Sequence, residues 1–345
     1  MASSATLRNV AEMAGVSIGT ASQALNQRPN VSPDTRARVF EAALALGYQV
    51  KEPPGPSAER SLSVIGMLVM HDVGLDIVPN IFYSHVQAGV ESECRKRGIS
   101  LMFSIIDVNP DKRPVEWPAM IREQRVDGLL LIGTVLEETI EQIQRQITVP
   151  AVLVDGYAPN LPFDSVLIDN FAGAYSAVDY LISQGHCHIG LIGWHKNCHP
   201  SLEERKEGYL QALKDNHINC SYIEETILQR NEAIAAFRQL KAKSPQVTAI
   251  FACNDDSAIG VMGAAREVGM RVPEDLSIVG FDNVDMARTT TPTLTTVHVH
   301  KAWLGILGVR NLIDRALNQD QPKIATRVTT QLLIRESVAS ISGKR

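Results

Sequence analysis

Residues Thr6 to Tyr48, TLRNVAEMAGVSIGTASQALNQRPNVSPDTRARVFEAALALGY, hold the stretch on which the fold turns. The spacing predicts three short helices, with a tight turn at Ala14-Gly15-Val16 after the first. Thr6 is placed to cap helix one, and Val10, Met13 and Ala14 recur at helical spacing, as one buried face requires. Gly15 can adopt the backbone angles that end a helix. Ser17 is expected to cap the second helix through the amide of Thr20, with Ala21, Ala24 and Leu25 as its buried side. Ser32-Pro33-Asp34 is a strong start signal: a capping hydroxyl, a proline at the first helical position and an acid at the positive end of the dipole. Val39, Ala42, Ala43 and Leu46 form the expected stripe of helix three, and Gly47 its stop. Helices joined in this way have the layout of a helix-turn-helix DNA reader. The plain alternative is a three-helix cap on an enzyme.

Working outward, the chain has 345 residues, enough for two or three domains, and 45% hydrophobic content with no apolar run near a membrane span. The N-terminus lacks the apolar core of a signal peptide, and the five scattered cysteines fit reduced thiols, so a cytoplasmic location is expected. Net charge is −5, which by itself argues against a nucleic-acid binder. Its distribution is milder. Residues 1–51 carry Arg8, Arg28, Arg36, Arg38 and Lys51 against Glu12, Asp34 and Glu41, a balance of +2 that leaves −7 for the remainder. A slightly basic head on an acidic body suits a regulator whose body stays off the phosphates.

After Tyr48, Lys51-Glu52-Pro53-Pro54-Gly55-Pro56-Ser57 marks a linker. From Leu62 short apolar strands alternate with longer amphipathic helices. The strands are expected at Val64–Met70, Ser100–Ile105, Gly128–Ile132, Ala151–Asp155, Val166–Asp169, His188–Trp194, Ala249–Cys253 and Ser277–Asp282. The helices are expected at Ile81–Arg97, Glu137–Gln146, Ala172–Gln184, Leu202–Asn216, Asn231–Ser244 and Asp256–Val268. This alternation predicts parallel α/β sheets, and there are enough strands for two. The expected division is 1–50 for the helix-turn-helix domain and 51–61 for the linker. An effector-binding and dimerisation domain then fills 62–340, with an N-subdomain at 62–163 and 295–322 and a C-subdomain at 164–294 and 323–340.

The head resembles the N-terminal domain of the lactose/galactose repressor (LacI/GalR) family. Val10-Ala11, Ala14-Gly15-Val16-Ser17, Thr20, Ser22, Leu25-Asn26, Val31-Ser32, Thr35-Arg36 and Leu46-Gly47-Tyr48 carry the resemblance. The body is similar to the same family through Asp169-Asn170, Gly185-His186, Arg205, Gly208-Tyr209, Asn254-Asp255, Ser277 to Asp282 and Pro292 to Val297. The resemblance implies an α/β architecture: a three-helix helix-turn-helix domain, then a periplasmic-binding-protein-like body of two doubly wound α/β subdomains with a ligand between them. It implies a homodimeric repressor, with a tetramer left open, that binds double-stranded operator DNA and answers to a small-molecule effector, a sugar or glycoside. A purine-type effector and a stand-alone solute-binding protein are the alternatives. No cofactor, metal or membrane is expected. There is no Gly-x-Gly-x-x-Gly after a strand, no Walker loop and no nucleophile elbow, so no enzyme is expected.

By the same analogy the base-reading positions are Ile18, Gly19 and Gln23. Gln23 stands where many members carry arginine and could pair with adenine, while Ile18 could meet a thymine methyl. Thr6, Ser17, Thr20, Ser22, Asn26 and Thr35 are the expected phosphate contacts, with helix capping as their plain role. The family's leucine-bearing hinge helix has no clear counterpart. Counting back from Gly66 puts Ser57 at the leucine, among prolines that break helices, and a weak hinge is expected. For the effector, Arg205 is the leading candidate, its fork suited to vicinal hydroxyls, with a surface ion pair to Glu203 or Glu204 as the plain alternative. Asp282, Asn254 and Asp256 lie at strand C-termini, where open α/β folds gather ligands, and Phe82, Tyr157 and Trp194 could supply stacking surfaces. His195 and His199 have a spacing that could hold a metal, but a pocket loop with solvated histidines is the expected reading.

Overall fold

The structure, a computed structural model, describes residues 6–25, 31–46, 48, 62–72, 81–109, 113–133 and 137–341. It divides into two units, residues 1–61 and 62–345. In the first, α1 (Leu7–Met13), α2 (Ile18–Leu25) and α3 (Pro33–Ala45) follow one another. Thr6 caps α1 in a capping box with Asn9, Ser17 Oγ accepts from the Thr20 amide at 3.0 Å and Ser32 caps α3 above Pro33. Gly15, at φ +64°, makes the turn. Val10, Ala11, Ala21, Ala24, Leu25, Val39, Ala42 and Ala43 close a small core. Met13 departs from expectation: it is 56% exposed, and Ala11 takes its place inside. The reason is angular, since the seven-residue α1 has room for one narrow stripe. Gly47, Asn26 and the linker with Ser57 lie outside the described residues.

The second unit runs β1 (Val64–Asp72), α4 (Ile81–Arg97), β2 (Ser100–Val108), α5 (Ala119–Arg122), β3 (Gly128–Ile132), α6 (Glu137–Gln146), β4 (Ala151–Val154) and β5 (Asp164–Ile168). Then come α7 (Asn170–Ser183), β6 (Ile189–Trp194), α8 (Pro200–Asp215), β7 (Tyr222–Glu225), α9 (Arg230–Lys243), β8 (Ala249–Ala252), α10 (Asp255–Glu267) and β9 (Ser277–Asp282). A 3₁₀ turn (Asp285–Arg288), β10 (Thr295–His298), α11 (Lys301–Leu317), β11 (Ala325–Val328) and β12 (Gln331–Leu333) complete it. The strands form two six-stranded sheets, in the orders β11-β5-β4-β3-β1-β2 and β12-β10-β9-β8-β6-β7. Every pairing is parallel except β10 with β12. The inner strands β3, β4, β5, β8 and β9 are buried along their whole length, which is why they read as largely apolar runs, with polar residues only at the ends of β5 and β9.

The chain passes between the sheets three times, each time one strand later than expected. β5 (164–168) completes the first sheet before the crossing at Asp169; the expected C-subdomain began at 164. β10 (295–298) joins the second sheet before the crossing at Val299-His300, although 295–322 was expected in the N-subdomain. β11 returns to the first sheet beside β5, and the crossing at Thr329-Thr330 follows. Apolar composition does not say which sheet a strand joins, and these one- and two-residue crossings carry no Gly or Pro signal. The helix α11 belongs to the first subdomain, packed on α4. Their backbones nearly touch: a Cβ on Gly89 would strike the Ala302 carbonyl, and one on Gly305 would strike the Val86 carbonyl.

Candidate functional site

In the first unit, α2 presents its residues in two ways. Ala21, Ala24 and Leu25 are buried, while Ile18, at 46% exposure, faces outward with Gly19 and Gln23. No acid stands in the first turn of α2, so its positive end is uncompensated. The expected phosphate contacts are chiefly caps here. Thr6 bonds Asn9, Ser17 Oγ and Thr20 Oγ1 lie 2.8 Å apart, and Ser32 Oγ donates to Thr35 Oγ1 at 2.8 Å. Ser22 is half-buried and engaged. Asn26 lies outside the described residues.

In the second unit, a polar cluster forms where strands of both sheets end. Arg205, on the second turn of α8, is 5% exposed. Its Nε donates to Asn170 Oδ1 at 2.9 Å, one terminal nitrogen donates to the Cys253 carbonyl and the other lies 3.6 Å from Asp282 Oδ1. The guanidinium rests 3.8 Å from the centre of the Phe281 ring. Asp282 closes β9 at φ +103°, a strained angle for a carboxylate-bearing residue. Lys301 donates to the carbonyls of Asp282 and Asn283 and sits 5.7 Å from the Phe82 ring centre. From the first sheet, Asp155 follows β4 at φ +58°, and its Oδ2 accepts from the Tyr83 hydroxyl at 3.2 Å.

Two carboxylate oxygens here, Asp155 Oδ1 and Asp282 Oδ1, are buried without a hydrogen-bond donor, and His199 Nε2 is buried without a hydrogen-bond partner. Desolvation is the main reason that Asp155 is pushed up to about 7, with Arg205 and Tyr83 opposing and Asp282 and Glu204 adding to it. Burial likewise raises Asp282, against the pull of Arg205 and Lys301. Burial lifts Tyr83 well above its ordinary range, with help from Asp155. Buried polar atoms of a folded protein nearly always find a protein or water partner, so three without a protein partner in one cluster set this place apart.

Glu204 ties the two subdomains together. Its Oε2 accepts from the Tyr157 hydroxyl at 2.8 Å, and its Oε1 accepts from Arg327 of β11 at 2.8 Å. Asn170 donates to the Tyr157 oxygen at 3.3 Å. The surface pair that would have explained Arg205 away is therefore absent: Glu203 pairs with Lys206 and accepts from Trp194, and Glu204 is taken by Tyr157 and Arg327.

Of the expected effector residues, the fold brings Arg205, Asp282, Tyr157 and Phe82 together. Trp194 donates its indole N–H to Glu203 at 2.6 Å, with Lys206 3.8 Å over its ring. Asn254 caps α10 through the Ser257 amide. Asp256 pairs with Arg230 in the open, both side chains nearly half exposed, while its neighbour Asp255 is the fully buried one, bonded to Thr296 and the Val284 amide. Tyr83, Asp155, Asn170, Glu204 and Lys301 escaped sequence reasoning. Asp155 was within reach, because it ends an apolar run as Asp282 does. The histidines go separate ways. His186 bonds Thr248 and Ala339, His188 bonds Tyr222, His195 turns to the Lys196 carbonyl and His199 caps α8. Among the described residues no three His, Cys, Asp or Glu side chains gather to hold a metal, and no helix is long and apolar enough to cross a membrane.

Residues 6–50 match the bacterial regulatory proteins of the lacI family, and residues 178–338 match the periplasmic binding protein-like domain. The HTH-type transcriptional repressor PurR of Vibrio vulnificus (strain CMCP6) is 31% identical over 347 residues, covering 98% of this chain and all of that protein. A solved complex of the transcriptional regulator CelR with cellobiose superposes with a TM-score of 0.68 at 27% identity, covering 96% of this chain and 99% of that one. A lacI-family regulator from Enterococcus faecium with bound ribose gives 0.66 at 25% identity, covering 81% of this chain and all of that one. With a three-helix reader early in the sequence and two subdomains of mostly parallel sheet following it in the sequence, the chain belongs to the lacI family of bacterial regulatory proteins: a DNA-binding, non-enzymatic transcription repressor with a periplasmic-binding-protein-like effector domain.

Proposed function

We propose that this repressor acts as a homodimer on a near-palindromic operator, and that a small polyhydroxylated molecule, a sugar or glycoside, sets its operator affinity from the cleft around Arg205. Ile18 and Gln23 read the bases, with Gln23 opposite an adenine. The caps Thr6, Ser17, Thr20 and Thr35, with Ser22 and Asn26, fix the backbone register. Residues 62–340 hold the effector and the dimer contact. The observation that carries the effector reading is the pair of donorless carboxylate oxygens, Asp155 Oδ1 and Asp282 Oδ1, both under the influence of the Arg205 guanidinium. Hydroxyl groups are the donors that such oxygens lack. Phe82 and Tyr157 border the cluster and offer apolar faces to a sugar's C–H side.

A purine effector is the second reading, favoured by the repressors named PurR among the relatives. It asks for a slot between parallel rings. Among the described residues the ring pairs at the cluster are edge-on, Phe82 with Tyr83 at 87° and Tyr157 with His199 at 81°. A thermal-shift screen with ribose, cellobiose, other glycosides, hypoxanthine and guanine separates the two. A ligand at a hundred times its Kd stabilises by about 2.7 kcal/mol. Arg205→Ala is expected to keep operator binding in a gel shift and to lose that ligand's effect. A purine as the sole stabiliser supports the second reading, and an unchanged ligand response in Arg205→Ala removes the cleft assignment.

A further inference from the structure

We propose that the cleft takes an uncharged ligand and rejects phosphorylated or carboxylate-bearing ones, with His199 Nε2–H as the donor that fixes the ligand's orientation. The proposal rests on the cleft being the effector site and goes on to state the polarity of what fills it.

The protonation of His199 follows from its cap. Nδ1 accepts from the Ser201 amide at 3.3 Å and lies 2.9 Å from Ser201 Oγ. A ring nitrogen that accepts from a backbone N–H carries no proton, so in the neutral ring the proton sits on Nε2. Burial and the nearby Arg205 push the imidazole down to about 4, which keeps it neutral near pH 7. Its Nε2 is buried without a partner, and its ring stands edge-on to Tyr157 with centroids 5.1 Å apart. The cluster therefore asks for one acceptor, opposite His199, and for donors opposite Asp155 and Asp282.

The cations at the cluster are already engaged. Arg205 is shared among Asn170, the Cys253 carbonyl and Asp282, and its face lies on Phe281. Lys301 is turned to two backbone carbonyls, and Arg327 is held by Glu204. Against them stand Asp155, Asp282, Glu204 and the buried Asp255. A phosphate would enter beside acids that burial already holds toward their protonated forms, and it would have to keep them protonated, while every cation beside it already faces a carbonyl or a carboxylate. A neutral molecule with hydroxyl or N–H donors and one oxygen or nitrogen acceptor satisfies all three orphan atoms.

The test is calorimetry on the full chain with matched pairs: ribose and ribose 5-phosphate, cellobiose and cellobionate, hypoxanthine and inosine 5′-monophosphate, and inorganic phosphate alone. Binding is expected only from a neutral member. His199→Asn keeps a capping side chain but withdraws the ring donor, and is expected to weaken that ligand about tenfold or more. Tighter binding by an anionic member that Arg205→Ala abolishes overturns the polarity while leaving the cleft assignment standing. Binding of a neutral member that survives both Arg205→Ala and Asp282→Asn overturns the cleft assignment instead. Imidazole ¹⁵N spectra of the free protein decide the His199 assignment whichever ligand binds. The neutral Nε2–H form at pH 7 is expected, and an Nδ1–H form or an imidazolium overturns it.

Discussion

Replacing Asp155 by asparagine should make the ligand-free protein more stable above neutral pH. Asp155 is 5% exposed, one oxygen is donorless and the other has a single hydroxyl partner. Its carboxyl is pushed up from 3.8 to about 7, chiefly by desolvation. In the native state it therefore holds its proton over a range in which the unfolded chain has lost it. That contribution is fully present below about pH 4, and it is lost as pH rises through about 7. A shift of about three units corresponds to roughly 4 kcal/mol at most. The asparagine amide still accepts from Tyr83 but brings an N–H₂ of its own, whose poor satisfaction costs about 1–3 kcal/mol. The net gain at pH 8 is then about 1–3 kcal/mol, or roughly 2–6 °C in Tm for a domain of this size. Near pH 4.5 the gain should vanish. Calorimetric melts of both proteins from pH 4.5 to 8.5 measure the difference, and the variant should also lose its ligand response, since the group removed is one the ligand satisfies. A variant less stable at pH 8, or a Tm difference that does not change with pH, would refute the reasoning.

Three further outcomes follow from other parts of the molecule. Gly305→Leu drives a side chain into the Val86 carbonyl where α11 meets α4, and a loss of about 3 kcal/mol in urea unfolding is expected; an unchanged midpoint argues against close helix contact. The edge strand β2 shows Phe103 at 48% and Ile105 at 41% exposure, so the double change Phe103→Asp, Ile105→Asp should turn dimers into monomers in sedimentation velocity if this edge carries the dimer contact, and intact dimers exclude it. Gln23→Arg should move the preferred operator base from adenine to guanine, at about 1–3 kcal/mol per correct pair; selection from a randomised half-site reads it, and an unaltered preference removes Gln23 from base reading.

What the sequence disclosed was local. The helices α4 and α6 begin and end at the expected residues, because amphipathic period and terminal residues are properties of short windows. Thr6, Ser17 and Ser32 cap where their spacing says they should. β7 escaped because it is a four-residue edge strand whose Tyr-Ile-Glu-Glu has no apolar run. The sheet membership of β5, β10 and β11 escaped because it is decided by partners far along the chain. Arg205 was legible through the family resemblance, and Asp282 as an acid at a strand end. Asn254 and Asp256 followed the same rule, yet their side chains go to a helix amide and to Arg230. Position at a strand end therefore does not by itself place an acid on the cluster, and the unpartnered oxygens separate Asp155 and Asp282 from Asn254 and Asp256.

The cleft and the crossings turn out to be one structure. Each of the three passages between the sheets sets a side chain on the cluster. Asn170, directly after the first, accepts from Arg205. Lys301, directly after the second, donates to the end of β9 at Asp282. Arg327, two residues before the third, holds Glu204 beside Arg205. On the proposed reading, a ligand that draws Arg205 or Asp282 toward itself would change the hydrogen bonds of the segments at which the chain passes between the sheets. Rigid rotation about a few short segments is how domain pairs close on ligands, and a ligand moves such an equilibrium only by contacts that differ between its states. On the proposed reading, those contacts and the crossing segments share residues. Arg327 offers the sharpest separation of binding from transmission, because it touches the crossing strand and Glu204 but not the orphan atoms. Arg327→Gln should leave the ligand's Kd within about threefold, at a surface-pair value of under about 1 kcal/mol, while narrowing the difference in operator affinity between ligand-bound and ligand-free protein. Calorimetry and gel shifts on the same preparation measure the two quantities, and an undiminished operator response to ligand would break the link between Glu204 and the crossing.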